Sequence, residues 1–456
     1  MTKPHAFHPT ILREYDIRGT VGKTLFAADA KAIGRSFGTL VLDAGGRTVC
    51  VGRDGRLSSP ELEEALLRGL SNCGLTVRRI GLGPSPLLYF ACRHLDADAG
   101  IMVTGSHNPP DHNGFKMLLK GKPFFAEQIS RLGRLAAAGE TRRLDIIPGQ
   151  VIETPLQNAY IARLLQDFRP GRDLSIVWDA GNGAAGEAME MLAARLPGRH
   201  ILLNSVIDGH FPAHHPDPTQ PENMEQLRRT VLAERADFGI AFDGDGDRIG
   251  LVDGDGHILW GDQMLMLLAE EVLAEHPGAV ILADIKSSQA LFDRIAALGG
   301  QAGMCPTGHS VIKSRLSETG ALLAGEMSGH LFFADRYFGY DDALYAAVRI
   351  LSMVARWPLD QTLARRHAAL PRLHSTPELR IPCADEEKHS KVSALKARLA
   401  AEGADVIDID GVRVVGDDGW WLLRASNTQP CLVARCESAT PEGLERLKRQ
   451  LEHALG

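Results

Sequence analysis

Five short apolar runs, each ending abruptly in a loop rich in Gly, Asp or Ser, constrain the fold of this 456-residue chain most strongly. The runs are residues 48–51 before GRDGR, 101–103 before TGSHNPP, 176–178 before DAGNG, 238–242 before DGDGDR and 280–283 before DIKSS. Amphipathic helical stretches such as residues 59–72 and 289–298 lie between them. This alternation predicts α/β domains with largely parallel sheets, whose ligands bind at the loops after the strands' carboxyl ends.

The sequence pattern changes near residue 370, and a small α+β domain is predicted from there onward. It contains a charged helix over 388–402, strands within 408–415 and 419–426 joined by an Asp-Gly turn, and a closing helix from Pro441. At about 150 residues per domain, the length predicts roughly three domains. Pro and Gly punctuation places boundaries near residues 153, 256 and 368, however, and these boundaries divide the chain into four predicted domains, 1–153, 154–256, 257–368 and 369–456.

Composition excludes several classes of protein. Hydrophobic residues make up 44% and charged residues 23% of the chain, as in folded soluble proteins. The formal charge of −7 provides no basic field for nucleic acid or an anionic membrane. The amino terminus lacks the apolar core of a signal peptide, and Arg349 and Arg356 interrupt the apolar stretch 343–357. Seven scattered cysteines without a CxxC pair predict reduced packing thiols in a cytoplasmic protein.

The segment DGDGDR places three carboxylates, Asp243, Asp245 and Asp247, at alternate positions separated by glycines. Glycine lets the backbone turn, so that all three side chains are expected to converge on one hard cation. An EF-hand would need Gly at Arg248 and Glu at Gly254, and Mg²⁺ is therefore favoured over Ca²⁺. The alternative is an ion-free turn, which mutual repulsion of the carboxylates disfavours. The nearby DGDG at 253–256 is interpreted as a hairpin.

The segment TGSHNPP follows a predicted strand, and Gly105 allows a sharp turn that presents the Ser106 hydroxyl. A serine in this setting is either a turn or cap residue or, beside Mg²⁺, a carrier of a phosphoryl group. Lys116 in NGFK supplies an ammonium group that binds phosphate or exchanges a proton. The alternative for Lys116 is an exposed surface lysine.

Four motifs make the chain resemble the α-D-phosphohexomutase family, and most closely its bacterial phosphomannomutase/phosphoglucomutase branch. They are TGSHNPP at 104–110, DGDGDR at 243–248, GEMSGH at 325–330 and RASNTQP at 424–430, supported by EYDIRG at 14–19, DIKSS at 284–288 and TGHSVIK at 307–313. The resemblance covers essentially the whole chain. It implies three related α/β domains with mixed, largely parallel sheets and a C-terminal α+β domain of the TATA-binding-protein type, arranged around a central cleft.

The resemblance also implies a mechanism. Ser106 is expected to be a phosphoserine, and Asp243, Asp245 and Asp247 to hold one Mg²⁺ per active site together with the Ser106 phosphate. The serine phosphorylates a mannose or glucose phosphate to the hexose 1,6-bisphosphate, which reorients before its other phosphate returns to the serine. The net reaction interconverts the 6-phosphate and the 1-phosphate. Hexose phosphates are the expected partners, and a monomer is the expected state.

Further site residues are implied by their positions in the motifs. The groups expected around the transferring phosphate are Arg18, Lys116, Arg248, His107 and His309, with His309 as a proton shuttle. The groups expected to bind substrate are Tyr15, Lys286, Glu326, Ser328, His330, Arg424, Ser426, Asn427 and Thr428. Glu326 and Ser328 suit two neighbouring sugar hydroxyls, and the donors of 424–428 suit a phosphate dianion.

Three alternatives remain open at this point. Phosphoglucosamine mutase has a similar sugar loop but usually another residue where Met327 stands. An aspartyl-phosphate phosphatase also has a DxD sequence after a strand, but usually Thr or Val where Asp247 stands. A catalytically silent sugar-phosphate-binding protein would retain the same scaffold. Gln429 and the Trp420-Trp421 pair depart from the family's usual pattern and leave the relative substrate preference open.

Overall fold

The structure is a computed structural model, and it describes residues 3–142, 149–426 and 430–455. Asn427 and Thr428, which belong to the predicted phosphate loop, and Gln429 lie outside the described residues.

The first part of the chain forms a mixed α/β sheet. Its elements are β1 (Ile17–Thr20), α1 (Ala27–Asp43), β2 (Thr48–Arg53), α2 (Ser59–Ser71), β3 (Thr76–Leu82), α3 (Ser85–His94), β4 (Ala99–Val103), β5 (His112–Leu119), β6 (Lys122–Pro123), α4 (Glu127–Ala138) and β7 (Val151–Glu153). The strand order is β1-β5-β4-β2-β3-β7, with β6 on β5. Strands β4, β2, β3 and β7 are parallel, and β5 is antiparallel to both β1 and β4. The loops after β2 and β4 therefore leave the same edge of the sheet.

The second part repeats this arrangement with a hairpin at one edge. Its elements are α5 (Gln157–Leu165), β8 (Ser175–Asp179), α6 (Gly186–Ala193), β9 (Arg199–Leu203), α7 (Glu225–Glu234), β10 (Phe238–Phe242), β11 (Ile249–Asp253) and β12 (Ile258–Leu259). Strands β10, β8 and β9 are parallel, whereas β11 and β12 continue the sheet antiparallel. DGDGDR is thus the connection between β10 and β11, and DGDG forms the predicted turn of the β11–β12 hairpin.

The third part is again strand and helix in alternation. Its elements are α8 (Gly261–Glu275), β13 (Val280–Asp284), α9 (Gln289–Ala297), β14 (Gln301–Cys305), α10 (His309–Thr319), β15 (Leu323–Gly325), β16 (Leu331–Phe333), α11 (Ala343–Ala355) and α12 (Leu363–Ala368). Strands β14, β13 and β15 are adjacent and parallel. The predicted DIKSS, TGHSVIK and GEMSGH segments begin at or just after the ends of these three strands.

The last part is an antiparallel sheet with two helices. Its elements are β17 (His374–Ser375), β18 (Leu379–Pro382), α13 (Asp385–Ala401), β19 (Val406–Ile407), β20 (Val412–Gly416), β21 (Gly419–Ala425), β22 (Cys431–Ser438) and α14 (Pro441–Leu455). The order is β17-β22-β21-β20-β19, with β18 also on β22. Buried Trp421, Leu423, Leu395, Leu399 and Leu447 belong to one apolar core in this part.

Two element boundaries in the last part differ from the prediction. The helix predicted from residue 388 begins at Asp385, because three acidic residues occupy its first turn, where negative charge stabilises a helix amino terminus. The strand predicted from 408 begins only at Val412, because Gly411 has a left-handed φ of 81° that interrupts extended backbone.

The chain divides into two compact units. The first unit comprises Met1–Met264 and Ser328–Ala368, and the second comprises Leu265–Met327 and Ala369–Gly456. All seven cysteines are buried and unbridged in this structure. Among the described residues, no helix combines the length and the apolar character needed to cross a bilayer.

Candidate active site

Ser106 occupies a buried and tightly constrained turn after β4. The residue is 2% exposed and has a φ of 49°, a left-handed conformation that is uncommon for a residue other than glycine. The Gly105 N–H donates to Asp54 Oδ2 at 3.1 Å, and the Ser106 N–H donates to Thr104 Oγ1 at 2.8 Å. These bonds to backbone donors fix the conformation that presents the serine hydroxyl.

The Ser106 hydroxyl lies between a carboxylate and an imidazole. It donates to Asp243 Oδ2 at 3.0 Å and lies 3.1 Å from His107 Nδ1. Burial, followed by the nearby positive charges of Arg248 and Arg18, holds the pKa of His107 well below its usual range. His107 is therefore a neutral imidazole at neutral pH.

The three aspartates of DGDGDR converge as the sequence predicted. Asp243, Asp245 and Asp247 are all fully buried, and each offers an oxygen within 4.8 Å of the other two. Gly246, with a φ of 71°, makes the turn that brings Asp247 back toward Asp243. Asp245 Oδ1 and Asp247 Oδ1 are buried without a hydrogen-bond partner in the described part of the chain. Buried carboxylate oxygens of this kind fit a bound hard cation.

Lys116 reaches this cluster from β5. Its Nζ donates to Asp245 Oδ2 at 2.7 Å and also to Asp247 Oδ2, and the residue is only 5% exposed. Lys116 is thus not a surface lysine. Burial disfavours the charged carboxylate of Asp245, but the Lys116 ammonium outweighs this effect and holds the Asp245 pKa below its ordinary value. For Asp243, burial and then the charges of Asp247 and Asp245 raise the pKa well above its usual range.

His330 and Arg248 form a second contact beside the aspartates. Arg248 Nε donates to His330 Nε2 at 3.0 Å, so this ring nitrogen is the acceptor and Nδ1 carries the hydrogen. His330 Nδ1 lies 3.1 Å from Asp341 Oδ2 and 3.7 Å from Asp247 Oδ1. The carboxylate of Asp341, which the sequence analysis did not single out, therefore faces the protonated nitrogen and favours this tautomer.

Arg18 approaches the serine loop through a side-chain amide. It donates to Asn108 Oδ1 at 2.8 Å and to Asp16 Oδ2 at 2.5 Å. The first unit also contains Tyr15, whose ring packs near Phe125, and the half-buried Ser328. Ser85, at the start of α3, donates to Asp245 Oδ2 at 2.5 Å and was missed by the sequence analysis.

In the second unit, the predicted cations are paired with carboxylates. Lys286 Nζ donates to Glu378 Oε2 at 2.9 Å and lies 4.0 Å from Asp284 Oδ2. The Lys286 charge lowers the pKa of Glu378 to about 2, whereas burial raises the pKa of Asp284 to about 6. Arg424 Nε donates to Asp410 Oδ2 at 2.8 Å. Glu378 gave no local signal in the sequence because it is a single carboxylate in a polar segment, and Asp410, which lies near Asp405 and Asp408, was not singled out.

Backbone donors connect the predicted sugar loop with its neighbour. Glu326, 2% exposed, accepts a hydrogen bond from the Gly308 N–H at 2.8 Å, and Asp410 accepts one from the Thr307 N–H at 3.0 Å. His309, at the start of α10, lies 3.1 Å from Lys313 Nζ through Nδ1. Ser426 is buried at the end of β21. Glu326 is thus a buried, oriented acceptor.

Comparison with known proteins supports one family throughout. Models of the phosphoglucomutase/phosphomannomutase family match four consecutive segments, namely α/β/α domain I at residues 9–143, domain II at 158–256, domain III at 260–372 and the C-terminal domain at 378–454. The phosphomannomutase/phosphoglucomutase of Pseudomonas aeruginosa is 43% identical over 453 residues, covering 98% of this chain and 95% of that protein. The phosphoglucomutase of Neisseria gonorrhoeae is 42% identical, covering 97% and 96%.

Solved structures show the same relationship. The crystal structure of a phosphoglucomutase/phosphomannomutase family protein from Burkholderia thailandensis matches with a TM-score of 0.92 at 42% identity, covering 98% of this chain and 97% of the other. The predicted family and fold class are therefore confirmed. With four family domains in order and relatives above 40% identity over nearly their full lengths, the chain belongs to the phosphoglucomutase/phosphomannomutase family and is a mutase, that is, an isomerase.

Proposed function

We propose that this chain interconverts the 1-phosphates and 6-phosphates of mannose and glucose and carries the phosphoryl group on Ser106. The observation that carries the proposal is the buried Ser106 hydroxyl, held 3.0 Å from Asp243 within a cluster of three buried aspartates. Phosphoryl transfer depends mainly on positioning and on neutralisation of charge. The hydrogen bond to Asp243 positions the serine hydroxyl, and a cation bound by the three carboxylates would neutralise charge on the phosphoryl group.

The proposed metal is one Mg²⁺, held by Asp243, Asp245 and Asp247 together with the phosphate on Ser106. The buried oxygens Asp245 Oδ1 and Asp247 Oδ1 support this assignment, since both lack a hydrogen-bond partner among the described residues. Bound there, Mg²⁺ would offset the negative charge of the phosphoryl group during transfer.

In the proposed transfer, the bond between Ser106 Oγ and phosphorus breaks, and a new bond forms between phosphorus and a sugar hydroxyl oxygen. The proton of that hydroxyl leaves to a base, and the freed Ser106 Oγ takes up a proton to become the serine hydroxyl. The hexose 1,6-bisphosphate then turns and returns its other phosphate to the serine. Lys116, Arg248 and Arg18 supply positive charge around the serine, and His107 is placed to exchange a proton with Ser106 Oγ.

Substrate recognition is assigned to the remaining motif residues. Glu326, Ser328, Lys286, His330 and Tyr15 are proposed to bind the sugar and its phosphates, and His309 is proposed as a proton shuttle. Arg424, Ser426, Asn427 and Thr428 are proposed to bind the phosphate that is not reacting. Buried Glu326, an acceptor already oriented by the Gly308 N–H, supports the first assignment.

We further propose four domains at 1–153, 154–256, 257–368 and 369–456, each of which carries one motif. Separate family models for the four segments support this division. A cytoplasmic monomer is proposed as well, and the free, buried cysteines support the reducing compartment. Light scattering on purified protein at several concentrations checks the monomer.

The experiment that tests the function compares substrates side by side. Initial rates are measured with Mg²⁺ and a trace of hexose 1,6-bisphosphate on the 1-phosphates of mannose, glucose and glucosamine. We expect turnover of mannose and glucose phosphates at well above the rate for the amino sugar. A clear preference for glucosamine phosphate would reassign the chain to the phosphoglucosamine mutases, and binding without turnover of any sugar would indicate a silent binding protein.

A further inference from the structure

Arg56, in the GRDGR loop after β2, is a buried arginine whose guanidinium hydrogen bonds all go to backbone carbonyls of the serine loop and the residues that follow it. It is 1% exposed. Its guanidinium donates to four backbone carbonyls, those of Pro109 at 2.5 Å and His112 at 2.9 Å from Nη1, and those of Ser106 at 2.7 Å and Asn108 at 2.6 Å from Nη2. One side chain therefore binds four carbonyl groups in and just after the turn that carries Ser106.

Asp54 binds the same loop through one of its backbone N–H groups. Its Oδ2 accepts from the Gly105 N–H at 3.1 Å and lies 3.3 Å from Arg56 Nε. Its Oδ1 accepts from the Arg56 N–H at 3.0 Å and from the Ser59 hydroxyl at 2.5 Å. Asp54 thus binds the N–H of Gly105, and Arg56 binds the carbonyl groups of Ser106 and of three later residues. The Ser59 hydroxyl connects Asp54 to the start of α2.

The loop is shaped to accept this guanidinium. A Cβ at Gly105 would lie 2.5 Å from Arg56 Cζ, so only glycine lets the planar group pack against the backbone there. On its other side, the Ser106 carbonyl meets Gly244 of the metal loop, where a Cβ would collide with it. The left-handed φ of Ser106 is retained because neighbouring groups hold it on both sides.

We propose that Arg56 is a positioning residue for phosphoryl transfer, holding the backbone of the serine loop so that Ser106 Oγ stays against Asp243 in both halves of the reaction. This proposal rests on the proposed role of Ser106. Arginine suits the task because its planar fork offers five donors in fixed directions. Lysine keeps the charge and most of the stem but presents one nitrogen, which cannot reach four carbonyls.

The test is Arg56→Lys, with Arg349→Lys as the matched control. Arg349 is likewise fully buried in the first unit, but it donates to Asp335 Oδ1 at 2.8 Å and belongs to α11. We expect kcat of Arg56→Lys to fall about 100-fold, because a displacement near 1 Å of a reacting group has that cost. None of the contacts described for Arg56 is with a residue proposed to bind the sugar or the non-reacting phosphate. The KM of Arg56→Lys should therefore stay within about threefold of the wild-type value, and Arg349→Lys should retain the wild-type kcat.

A second variant keeps the proposal testable if Arg56→Lys fails to fold. Asp54→Asn preserves the size of the side chain and removes the charge beside Arg56. We expect about a tenfold loss of kcat with KM unchanged and rapid-quench transfer from phosphorylated enzyme slowed equally. Either folded variant with wild-type kcat would overturn the positioning role. Wild-type protein that carries no phosphate on Ser106 and turns over no hexose phosphate would instead refute the proposed function.

Discussion

The two regions that carry the predicted site residues differ in how their charges are paired. Near Ser106, three buried carboxylates, those of Asp243, Asp245 and Asp247, share one directly bonded lysine, Lys116. In the second unit, by contrast, the predicted phosphate-binding cations already have carboxylate partners. Lys286 pairs with Glu378 and Arg424 with Asp410.

The two regions are therefore suited to a charged substrate in different ways. In the serine region, hydrogen bonds to the loop backbone fix the conformation, and the three buried carboxylates are suited to binding a cation. The second region holds its cations against carboxylates, which a phosphate dianion would replace as hydrogen-bond acceptors. Substitutions in the first region should therefore affect kcat most strongly, and substitutions in the second should affect KM.

The largest effect is expected for Ser106→Ala. Removal of the hydroxyl leaves no group to carry phosphate, and kcat should fall at least about a thousandfold while binding of glucose 1-phosphate is largely retained. Steady-state kinetics and isothermal titration with the sugar phosphate measure the two quantities. Ser352→Ala, which removes another fully buried hydroxyl in the same unit, serves as the control. Wild-type turnover in Ser106→Ala would refute the serine mechanism.

The next largest effect is expected for Asp245→Asn. The loss of one of three carboxylates weakens the cation site, so activity at fixed Mg²⁺ should fall about 100-fold and recover partly as Mg²⁺ is raised. EDTA should abolish wild-type activity, and Mg²⁺ should restore it. Asp253→Asn, in the nearby DGDG hairpin, is the matched control and should leave the Mg²⁺ dependence unchanged. An identical Mg²⁺ titration for wild type and Asp245→Asn would contradict the metal assignment.

A smaller effect, and one on KM, is expected for Arg424→Gln. Hydrogen bonds to a charged group contribute about 1.5–3 kcal/mol, so KM for glucose 1-phosphate should rise roughly 10- to 100-fold while kcat changes little. Arg446→Gln, which breaks an exposed pair with Asp418 in the same unit, controls for loss of charge alone. If Arg424→Gln lowered kcat and left KM unchanged, the contrast between the two regions would not hold.

The smallest effect is on stability and follows from Glu378. Lys286 lowers its folded pKa to about 2 from an ordinary 4.5, so the pair stabilises the fold above pH 4.5 and loses that contribution as pH falls toward 2. Relative to wild type, Glu378→Gln should melt about 2 °C lower near pH 7. The difference should shrink progressively below pH 4.5. Thermal melts from pH 7 to pH 3 measure it, and a pH-independent difference would argue against the charge pair.

Local patterns were enough to predict several of the strands and the convergence of the three aspartates. The stretch Phe238–Phe242 was predicted as a strand and is β10. A short apolar run bounded by Asp and Gly is typical of a buried strand. The convergence of the three aspartates followed from the glycines between them. Both features depend on residues close together in the sequence, so that their spacing indicates which side chains lie near one another.

The groups that hold the motifs in place were not predictable in this way. Arg56 reaches a loop some fifty residues later in the chain, and Asp341 faces the ring of His330. Glu378 becomes the partner of Lys286 only when segments 92 residues apart pack together. Asp410 and Arg424 are only 14 residues apart and come together across the β20–β21 hairpin. A single charged residue in a polar loop carries no period or spacing, so such contacts depend on tertiary structure.

The most direct test of the central claim locates the phosphate on the protein. Wild-type enzyme is incubated with glucose 1,6-bisphosphate and Mg²⁺, digested, and analysed by peptide mass spectrometry, and the loaded enzyme is then offered glucose 1-phosphate in a single turnover. With isotope-labelled phosphate on the bisphosphate used for loading, the account predicts one labelled phosphate on Ser106. Its label is then recovered on the sugar, and the sugar's own phosphate replaces it on the serine. Phosphate on Asp243, or a Ser106 phosphate that does not transfer, would contradict it.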